Sequence, residues 1–243
     1  MRYWLNSDLD PEEFAAQAAP VCQLYQDAAT LYAQGISVTC TDEKSGIQAL
    51  EHKYPAKPMR PGQVERIEFE YIRHGTQCLI ANFQVATGQV IAPTIGPTRK
   101  EDDFVAHIRQ TVATAPDAGW IFITDRLDIH MSASLVAWVA ATLEDPQPLG
   151  KKGHCGILQS TKTRMAYLTD AAHRIRFVYA PKHASWLNQV ELWFSILVRR
   201  LLKRGSFTSM QDLRERILRF IDYFNRTLAK PFKWTYQGKV LSA

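Results

Sequence analysis

The chain has 243 residues, which is enough for one large α/β domain with appendages. Hydrophobic residues make up 46% of it and charged residues 22%, proportions typical of a globular protein. No apolar run approaches the roughly 20 residues that a membrane helix needs. The acidic N-terminal sequence MRYWLNSDLDPEEF also lacks the apolar stretch of a signal peptide. We therefore expect a cytoplasmic protein without a membrane partner.

Charge is divided unevenly along the chain. Residues 1–150 hold 11 Lys and Arg against 19 Asp and Glu, a net charge of −8. Residues 151–243 hold 18 Lys and Arg against 5 Asp and Glu, a net charge of +13. A surplus of this size favours a polyanion, such as a nucleic acid, as the partner of the C-terminal part. A solvated basic helix surface is the alternative interpretation.

The first half of the sequence predicts a helix followed by a series of strands. Apolar and alanine positions recur at intervals of three and four before Gly35, as they do on one face of a helix. β-Branched residues and alternation of apolar with charged residues then indicate strands. In chain order we predict a helix over 11–34, a strand over 36–43, a loop over 52–63, a strand over 64–75, a hairpin over 76–96 that turns at Thr87–Gly88, and a helix over 100–114.

The second half predicts an alternation of strands and helices. Its elements are a strand over 119–125, a helix over 132–143 with Ser132 as N-cap, an insertion over 144–173 with a short helix near Lys162–Tyr167, a strand over 174–181, and helices over 185–202 and 209–228. The fold class is therefore α/β, a mixed five-stranded sheet flanked by helices with an inserted segment before the last strand. The expected boundaries are a helical lead-in at 1–35, one domain at 36–228 and a tail at 229–243.

Three acidic residues occur where acids are unusual. Asp42 and Asp125 each follow an apolar strand, and Glu191 lies inside the hydrophobic segment ASWLNQVELWFSIL. Each alone is open to a structural interpretation, as a turn former, a helix cap or an exposed helix position. Together, two aspartates at neighbouring strand ends and one helical glutamate could hold two hard cations. Two such ions about 3.5–4 Å apart support phosphoryl transfer.

Further blocks of sequence surround these acids. They are TDEKSGIQALE (41–51), RHGT (73–76), the strand ending in Asp125 with His130 five residues on, PKHASWLNQVELWFSIL (181–197), RGSFTS (204–209) and KPFKWTYQG (230–238). In these blocks the sequence resembles the DDE catalytic domain of mariner-related bacterial insertion-sequence transposases. The resemblance covers nearly the whole chain, and its longest block, at 181–197, is the most specific.

The resemblance implies a ribonuclease H-like fold and a metal-dependent reaction on DNA. It implies that Asp42, Asp125 and Glu191 are the catalytic residues and the metal ligands, in that order, of two Mg²⁺ ions, with Mn²⁺ as a substitute. The implied reaction is strand cleavage at transposon ends, followed by attack of a 3′-hydroxyl on target DNA. It further implies a nucleoid-associated protein that acts as a homodimer on DNA.

Other residues could bind DNA or support the site. This group comprises Lys44, Arg126, His130, Lys182, His183, Asn188, Arg199, Arg200, Lys203 and Arg204. His130 could contact a phosphate or a metal-bound water, or it could be structural. Asn188, three positions before Glu191, could orient that carboxylate or bind a water. The basic run at 199–204 fits phosphate contacts, and a solvated helix end is its alternative interpretation.

Two features depart from the family pattern. The family usually has Asn directly after the second aspartate, where this chain has Arg126, and a small polar residue in place of Asp128. We expect the Arg126 charge to compete with a divalent cation for Asp125 and so to lower activity. Asp125 and Glu191 are also 66 positions apart, a longer spacing than is common in the family, and the extra length falls in 144–173.

Helix-turn-helix modules that read the terminal repeats are typical of these transposases. The residues before Asp42 predict one helix and not a pair of such modules. We therefore expect an isolated catalytic domain, a portion whose helix-turn-helix part comes from a separate reading frame, or a remnant. The alternative function is a catalytically inactive remnant that binds DNA without sequence preference.

Overall fold

The computed structural model describes residues 10–66 and 68–236, and within them it contains six α-helices and five β-strands. In chain order these are α1 (Pro11–Ala33), β1 (Ile36–His52), β2 (Tyr71–Gln84), β3 (Gln89–Gly96), α2 (Glu101–Val112), β4 (Gly119–Thr124), α3 (Ala133–Leu143), α4 (Thr161–Leu168), β5 (Ile175–Tyr179), α5 (Gln189–Leu197) and α6 (Met210–Thr227). Short 3₁₀ helices lie at Asp128–Met131 and Ser185–Leu187, and a π-helical turn lies at Val198–Leu202. None of the described helices is both long and apolar enough to cross a membrane.

The strands form one mixed sheet in the order β3-β2-β1-β4-β5. β1, β2 and β3 pair antiparallel, as the predicted hairpin requires, whereas β4 and β5 are parallel to β1. The parallel half is reached through α2 and through α3 with α4, because parallel strands need crossover connections. The predicted mixed five-stranded sheet is therefore confirmed. The segment 144–173, which contains α4, precedes β5 as expected.

Helices cover both faces of the sheet. Side chains alternate along each strand, so Ile121 and Ile123 of β4 face a core shared with α1, α5 and α6. Trp120 and Phe122 of the same strand face a second core shared with α2, α3 and α4. Ser132 caps α3 by accepting a hydrogen bond from the Leu135 N–H at 3.2 Å, as the sequence predicts.

Two strand predictions were wrong in their limits. β1 does not end at residue 43 but continues to His52, because β2 pairs with it along that whole length. The strand predicted over 64–75 begins only at Tyr71. Before that point the chain makes only isolated bridges, such as Lys57 with Arg66, and Val64 and Phe69 are 80% and 84% exposed. Residue 67, like residues 1–9 of the predicted lead-in and 237–243 of the predicted tail, lies outside the described residues.

The helix predicted over 185–202 is divided into three parts. Asn188 has an extended ψ of 109°, which separates the 3₁₀ helix at Ser185–Leu187 from α5. After α5 the backbone widens into the π-helical turn, where the Lys203 N–H donates to the Val198 carbonyl at 2.8 Å. Beyond α6 the described part of the tail packs back on the domain, with the Phe232 ring stacked on that of Phe83 at 4.7 Å.

Candidate active site

Asp42 and Asp125 lie side by side at one edge of the parallel strand pair. β1 and β4 pair in register with Cys40 opposite Ile123, and each aspartate follows two residues later. β4 ends at Thr124, so Asp125 is the first residue beyond it. Asp42 does not end its own strand, because β1 runs on alongside β2. The topology therefore places the two carboxylates together where the parallel pairing stops, which is where open α/β sheets bind ligands.

Asp42 is nearly buried and closely held. The residue is only 7% exposed. Its Oδ1 accepts a hydrogen bond from the Glu43 N–H at 2.7 Å, and its Oδ2 accepts one from the Asn188 side-chain amide at 3.3 Å. Burial raises the pKa of Asp42 to about 7, and the negative charges of Asp125, Glu43 and Glu191 add to that effect. The site thus contains more negative charge than its protein surroundings balance.

Asp125 is fixed through one of its two oxygens. Oδ1 accepts the Leu127 N–H at 3.0 Å and lies 2.8 Å from Nδ1 of His130. Burial opposes ionisation of Asp125, but the hydrogen bond and charge of His130, with a contribution from Arg99, outweigh it and lower the pKa of Asp125. Oδ2 is left as the oxygen best placed to receive a cation.

His130 bridges two carboxylates in the interior. Its Nε2 lies 2.8 Å from Oε1 of Glu43, and both side chains are almost fully buried. Burial disfavours the charged imidazole, yet the hydrogen bonds to Asp125 and Glu43 dominate and raise the pKa of His130 to about 10. Both ring nitrogens are therefore engaged. Of the two interpretations of His130, the structure favours a structural partner of Asp125 over a phosphate contact.

The turn that contains His130 is anchored from two sides. The Tyr179 hydroxyl of β5 donates to the His130 carbonyl at 2.9 Å, and Nε of Arg164 in α4 donates to the Met131 carbonyl at 2.6 Å. The Phe104 ring lies 4.3 Å from the imidazole. The segment that contains α4 thus helps to fix the position of the second aspartate.

Glu191 approaches the aspartates from the first turn of α5. Its N–H donates to the Asn188 carbonyl at 3.0 Å, and its side chain is partly buried. Burial raises the pKa of Glu191, Lys44 lowers it and Asp125 raises it further. Glu191, Lys44 and Arg199 line a cavity of about 350 Å³. The three predicted acids therefore share one electrostatic environment.

The donor set fits hard divalent cations by its chemistry, since carboxylate oxygens are the ligands that Mg²⁺ prefers. Within residues 10–66 and 68–236, no group of three or more His, Cys, Asp or Glu side chains is gathered tightly enough to hold a metal ion. Burial is the main cause of the raised pKa of Asp42, and repulsion from the carboxylates of Asp125, Glu43 and Glu191 raises it further. A divalent cation would relieve this repulsion. The residues present therefore fit a divalent metal ion both in their charge and in the type of ligand atom they offer.

Two of the supporting residues have partners other than those expected. The Asn188 amide donates to the Thr41 carbonyl at 3.1 Å and to Asp42, so its side chain orients the first aspartate and not Glu191. Arg126 is exposed and donates to Oε1 of Gln17 in α1 at 2.5 Å. The hydrogen bond and charge of His130 are the main influences that lower the pKa of Asp125 against its burial. The expected competition of Arg126 with a cation stays a prediction.

The remaining basic candidates are spread over the surface around α5. Lys182 and His183 are exposed before the 3₁₀ helix, and Lys203 and Arg204 are exposed after the π-helical turn. Arg199 and Arg200 lie within that turn, and Arg199 faces the Glu191 cavity. Asp128, exposed at the start of a 3₁₀ helix, is separate from the buried contacts of Asp125.

Sequence reasoning missed two residues near the aspartates. Glu43 is buried inside β1, and an acid within an apolar strand is itself a signal, because burying an unpaired charge is costly. Arg99 lies before α2, and its charge lowers the pKa of Asp125. No sequence signal marks Arg99, because only the folded topology brings it near the second aspartate.

The fold is similar to that of solved transposases. One is the Mos1 transposase paired-end complex with left transposon end, at 13% identity and a TM-score of 0.53, over 91% of this chain and 58% of that chain. Another is the Mos1 mariner paired end complex with Mn, at 15% identity and a TM-score of 0.52 over the same shares. This chain thus spans 58% of the length of those relatives. The sheet and its helices form the ribonuclease H-like fold of transposase catalytic domains.

Comparison with curated proteins finds no match. A family model described as DDE superfamily endonuclease matches residues 37–214, a range that begins in β1, ends in α6 and includes all three acids. That range is well over half of the chain. The chain therefore belongs to the DDE superfamily endonuclease family.

Proposed function

We propose that this chain is the catalytic core of a transposase, which cuts DNA strands at transposon ends and joins them to target DNA in a Mg²⁺-dependent reaction. In the first step a water oxygen attacks phosphorus, the bond to the 3′ oxygen breaks, and a 3′-hydroxyl is left after proton transfer to it. In the second step that hydroxyl attacks a phosphodiester of the target, and the displaced oxygen takes the proton.

One observation carries this proposal. Asp42 on β1 and Asp125 directly after β4 occupy matching positions beside each other, and the charge of Glu191 acts on Asp42. An arrangement of two strand-end aspartates with one helical glutamate suits hard cations and a phosphate more than it suits a neutral substrate. Burial, with the negative charges of Asp125, Glu43 and Glu191, raises the pKa of Asp42, and a bound cation would offset those charges.

Asp42, Asp125 and Glu191 would hold the metal ions, with Asp125 offering Oδ2. When bound, Mg²⁺ or Mn²⁺ would activate the nucleophile and stabilise the leaving oxygen. The chain's own residues fix the ligands: Asn188 and the Glu43 N–H hold Asp42, while His130 holds Oδ1 of Asp125. His130 is not placed to accept a proton from the nucleophile, because both of its ring nitrogens are already bonded to carboxylates.

DNA is the proposed partner. Lys44 and Arg199 flank Glu191 and could neutralise phosphates beside the scissile bond. The structural relatives include complexes named for paired transposon ends. By analogy we propose that two copies of this chain act together on two DNA ends.

The test is metal-dependent nicking of supercoiled plasmid DNA. We expect nicking with Mg²⁺ or Mn²⁺, none in EDTA, and none in Asp125→Asn or Glu191→Gln. The matched control is Asp117→Asn, because Asp117 is exposed at the opposite end of β4 and should leave nicking unchanged. Nicking that survives in Asp125→Asn and Glu191→Gln would refute the proposed site.

The second candidate function is DNA binding without catalysis. The net charge of +13 in residues 151–243 supports DNA binding. The same assay separates the two functions. DNA binding without nicking, in a folded protein supplied with Mg²⁺ and with Mn²⁺, would establish the non-enzymatic function.

A further inference from the structure

A second cavity lies beyond the acidic residues, on the far side of Arg199. It has a volume of about 500 Å³ and is enclosed by the end of α5, the π-helical turn, the end of α6 and the first residues of the tail. We call it the basic cleft. Its walls combine exposed cations with apolar side chains, namely Arg199, Arg200 and Lys230 with Ile196, Leu228 and Phe232.

The charge of the basic cleft has one sign. Three of its lining residues are cations, and no Asp or Glu lines it within the described chain. Ile196, Leu228 and Phe232 line the same cavity, and we call these three residues the apolar floor. A ligand that uses the whole lining presents both negative charge and an apolar surface, and a simple inorganic anion has only the first.

Two of the three cations lie in irregular backbone. Arg199 and Arg200 lie in the π-helical turn, closed by the bond from the Lys203 N–H to the Val198 carbonyl at 2.8 Å. Such turns are rare and occur often at functional sites. A regular helix continuing α5 would turn these two side chains to other directions, so the widened turn determines where their charges lie.

The tail residues that line the basic cleft are also held in place. Gly88, at the turn of the β2–β3 hairpin with a φ of +72°, lies so close to Lys230 that an added Cβ would come within 2.0 Å of the Lys230 carbonyl oxygen. Phe232 stacks on Phe83 of β2 with an angle of 11° between the rings. The basic cleft is thus formed before any ligand arrives, which lowers the entropy cost of binding.

The basic cleft is continuous with the candidate active site. Arg199 lines both the basic cleft and the cavity that contains Glu191 and Lys44. A chain of phosphates that leaves the acidic residues past Lys44 therefore meets Arg199, which also lines the basic cleft together with Arg200 and Lys230. The shared Arg199 makes the two cavities neighbours along one surface.

We propose that the basic cleft binds unpaired nucleotides of the DNA strand that passes through the active site, with phosphates on the cations and a base against the apolar floor. This inference deepens the proposed function and rests on it for the identity of the polymer. Proteins that bind single strands combine a positive groove with apolar or aromatic surfaces for bases. A duplex keeps its base faces stacked inside, so an apolar floor gains nothing from it.

Binding to short labelled strands in EDTA tests the proposal, with fluorescence anisotropy as the measurement. The probes are an oligothymidylate and an abasic strand of equal length, which have the same phosphates but differ in bases. We expect the protein to bind the oligothymidylate about tenfold more tightly, as contact of one base with the floor would give. Equal affinity for both strands would overturn the proposal, because the floor would then contribute nothing.

Charge reversals locate the site. Arg200→Glu and Lys230→Glu should each weaken oligothymidylate binding about tenfold or more. Arg219→Glu makes the same change at an exposed position of α6 that does not line the basic cleft, and it should have a much smaller effect. Equal losses in all three variants would refute the location. A poly-glutamate competitor of matched charge that displaces the strand as well as DNA does would refute DNA as the occupant.

These measurements need no catalysis, so they separate the two proposals. Preferential strand binding at the basic cleft in a protein that never nicks DNA would leave this inference standing and defeat the proposed reaction. Nicking that depends on Asp125 and Glu191, with no preference for strands that carry bases, would support the proposed reaction and refute this inference.

Discussion

The acidic residues and the basic cleft are built in opposite ways. Asp42 lies in the sheet and Asp125 directly follows β4, and their oxygens accept bonds from backbone N–H groups and from buried side chains. The cations of the basic cleft are exposed, and two of them, Arg199 and Arg200, lie in the π-helical turn after α5. Buried charges interact strongly and tolerate little change, whereas exposed charges are screened by salt and act additively. Loss of a buried acid should therefore abolish function, and loss of a cation should weaken it gradually.

The largest effect should come from Asp42→Asn, which should have opposite consequences for activity and stability. We expect nicking to fall at least about a thousandfold, because several kcal/mol of transition-state stabilisation would go, at 1.36 kcal/mol per factor of ten. In EDTA at pH 8, the free energy of unfolding should rise by roughly 2–4 kcal/mol, because a buried charge is removed and one hydrogen bond weakened. Plasmid nicking and urea unfolding measure the two effects.

The pH dependence of stability shows in which direction the Asp42 charge acts. The pKa of Asp42 is about 7 in the folded protein and lies above its ordinary value, so the folded state binds more protons between about pH 4 and 7. The contribution of Asp42 to stability is thus unfavourable above pH 7 and vanishes below pH 4. The stability difference between Asp42→Asn and the parent should shrink to nothing as the pH falls through that window. A constant difference would mean that the carboxylate is not perturbed.

A smaller effect should follow from Glu43→Gln, which removes charge from the buried partner of His130. The pKa of His130 should fall, and Asp125 should lose part of its orientation. We expect Mn²⁺ affinity to weaken by about 10–100-fold, the usual cost of altering a group behind a metal ligand. Titration calorimetry with Mn²⁺ measures this without any turnover.

The matched control for this variant is Glu51→Gln. Glu51 lies on the same strand and contacts His74 at 2.6 Å, but both side chains are about a third exposed. The control should leave Mn²⁺ affinity unchanged. If the two variants behave alike, Glu43 acts through general charge and not by positioning Asp125.

The contrast between buried and exposed groups also explains what the sequence could predict. Periodicity gives β4, α3 and α6 nearly to the residue, because their apolar spacing is regular and their ends carry signals such as Ser132. Periodicity also identifies Asp125 as an acid at the end of a strand. Periodicity cannot show that residues 64–70 are not a strand, because the alternation of apolar and charged residues is the same whether or not a partner strand lies beside them.

Contacts between distant segments lie beyond sequence patterns. Glu43 pairs with His130, and Asn188 with Asp42, across long stretches of chain. The π-helical turn at Val198–Leu202 has the same local composition as a regular helix. Resemblance to a family supplies the acids by motif, but it does not supply the contacts that hold them.

Exposed cations outside both sites should show graded behaviour. Lys203→Gln and Arg204→Gln should each weaken duplex binding a few-fold and lower the slope of log affinity against log salt by about 1. The parent should bind duplexes with a dissociation constant in roughly the 10⁻⁴–10⁻⁶ M range at physiological salt, without sequence preference. Anisotropy at two salt concentrations on two unrelated duplexes measures both quantities. A preference above about a hundredfold for one duplex would show base reading, which phosphate contacts alone do not give.

The smallest effect should come from Arg126→Asn. The sequence places Arg126 beside the second aspartate and so predicts a gain of activity when its charge is removed. In the structure the guanidinium is exposed and bonded to Gln17, and the charges of His130 and Arg99 lower the pKa of Asp125. An exposed contact of this kind contributes only about 0.2–1 kcal/mol. The nicking rate and the equilibrium constant of unfolding should therefore each change by less than about fivefold.

Arg99→Gln provides the comparison. Arg99 is distant from Asp125 in sequence, but its charge lowers the pKa of that carboxyl. The substitution should therefore raise the pKa of Asp125 and shift the pH profile of nicking upward. If Arg126→Asn shifts the profile and Arg99→Gln does not, adjacency in sequence governs the charge at Asp125, and the contact with Gln17 does not persist in solution.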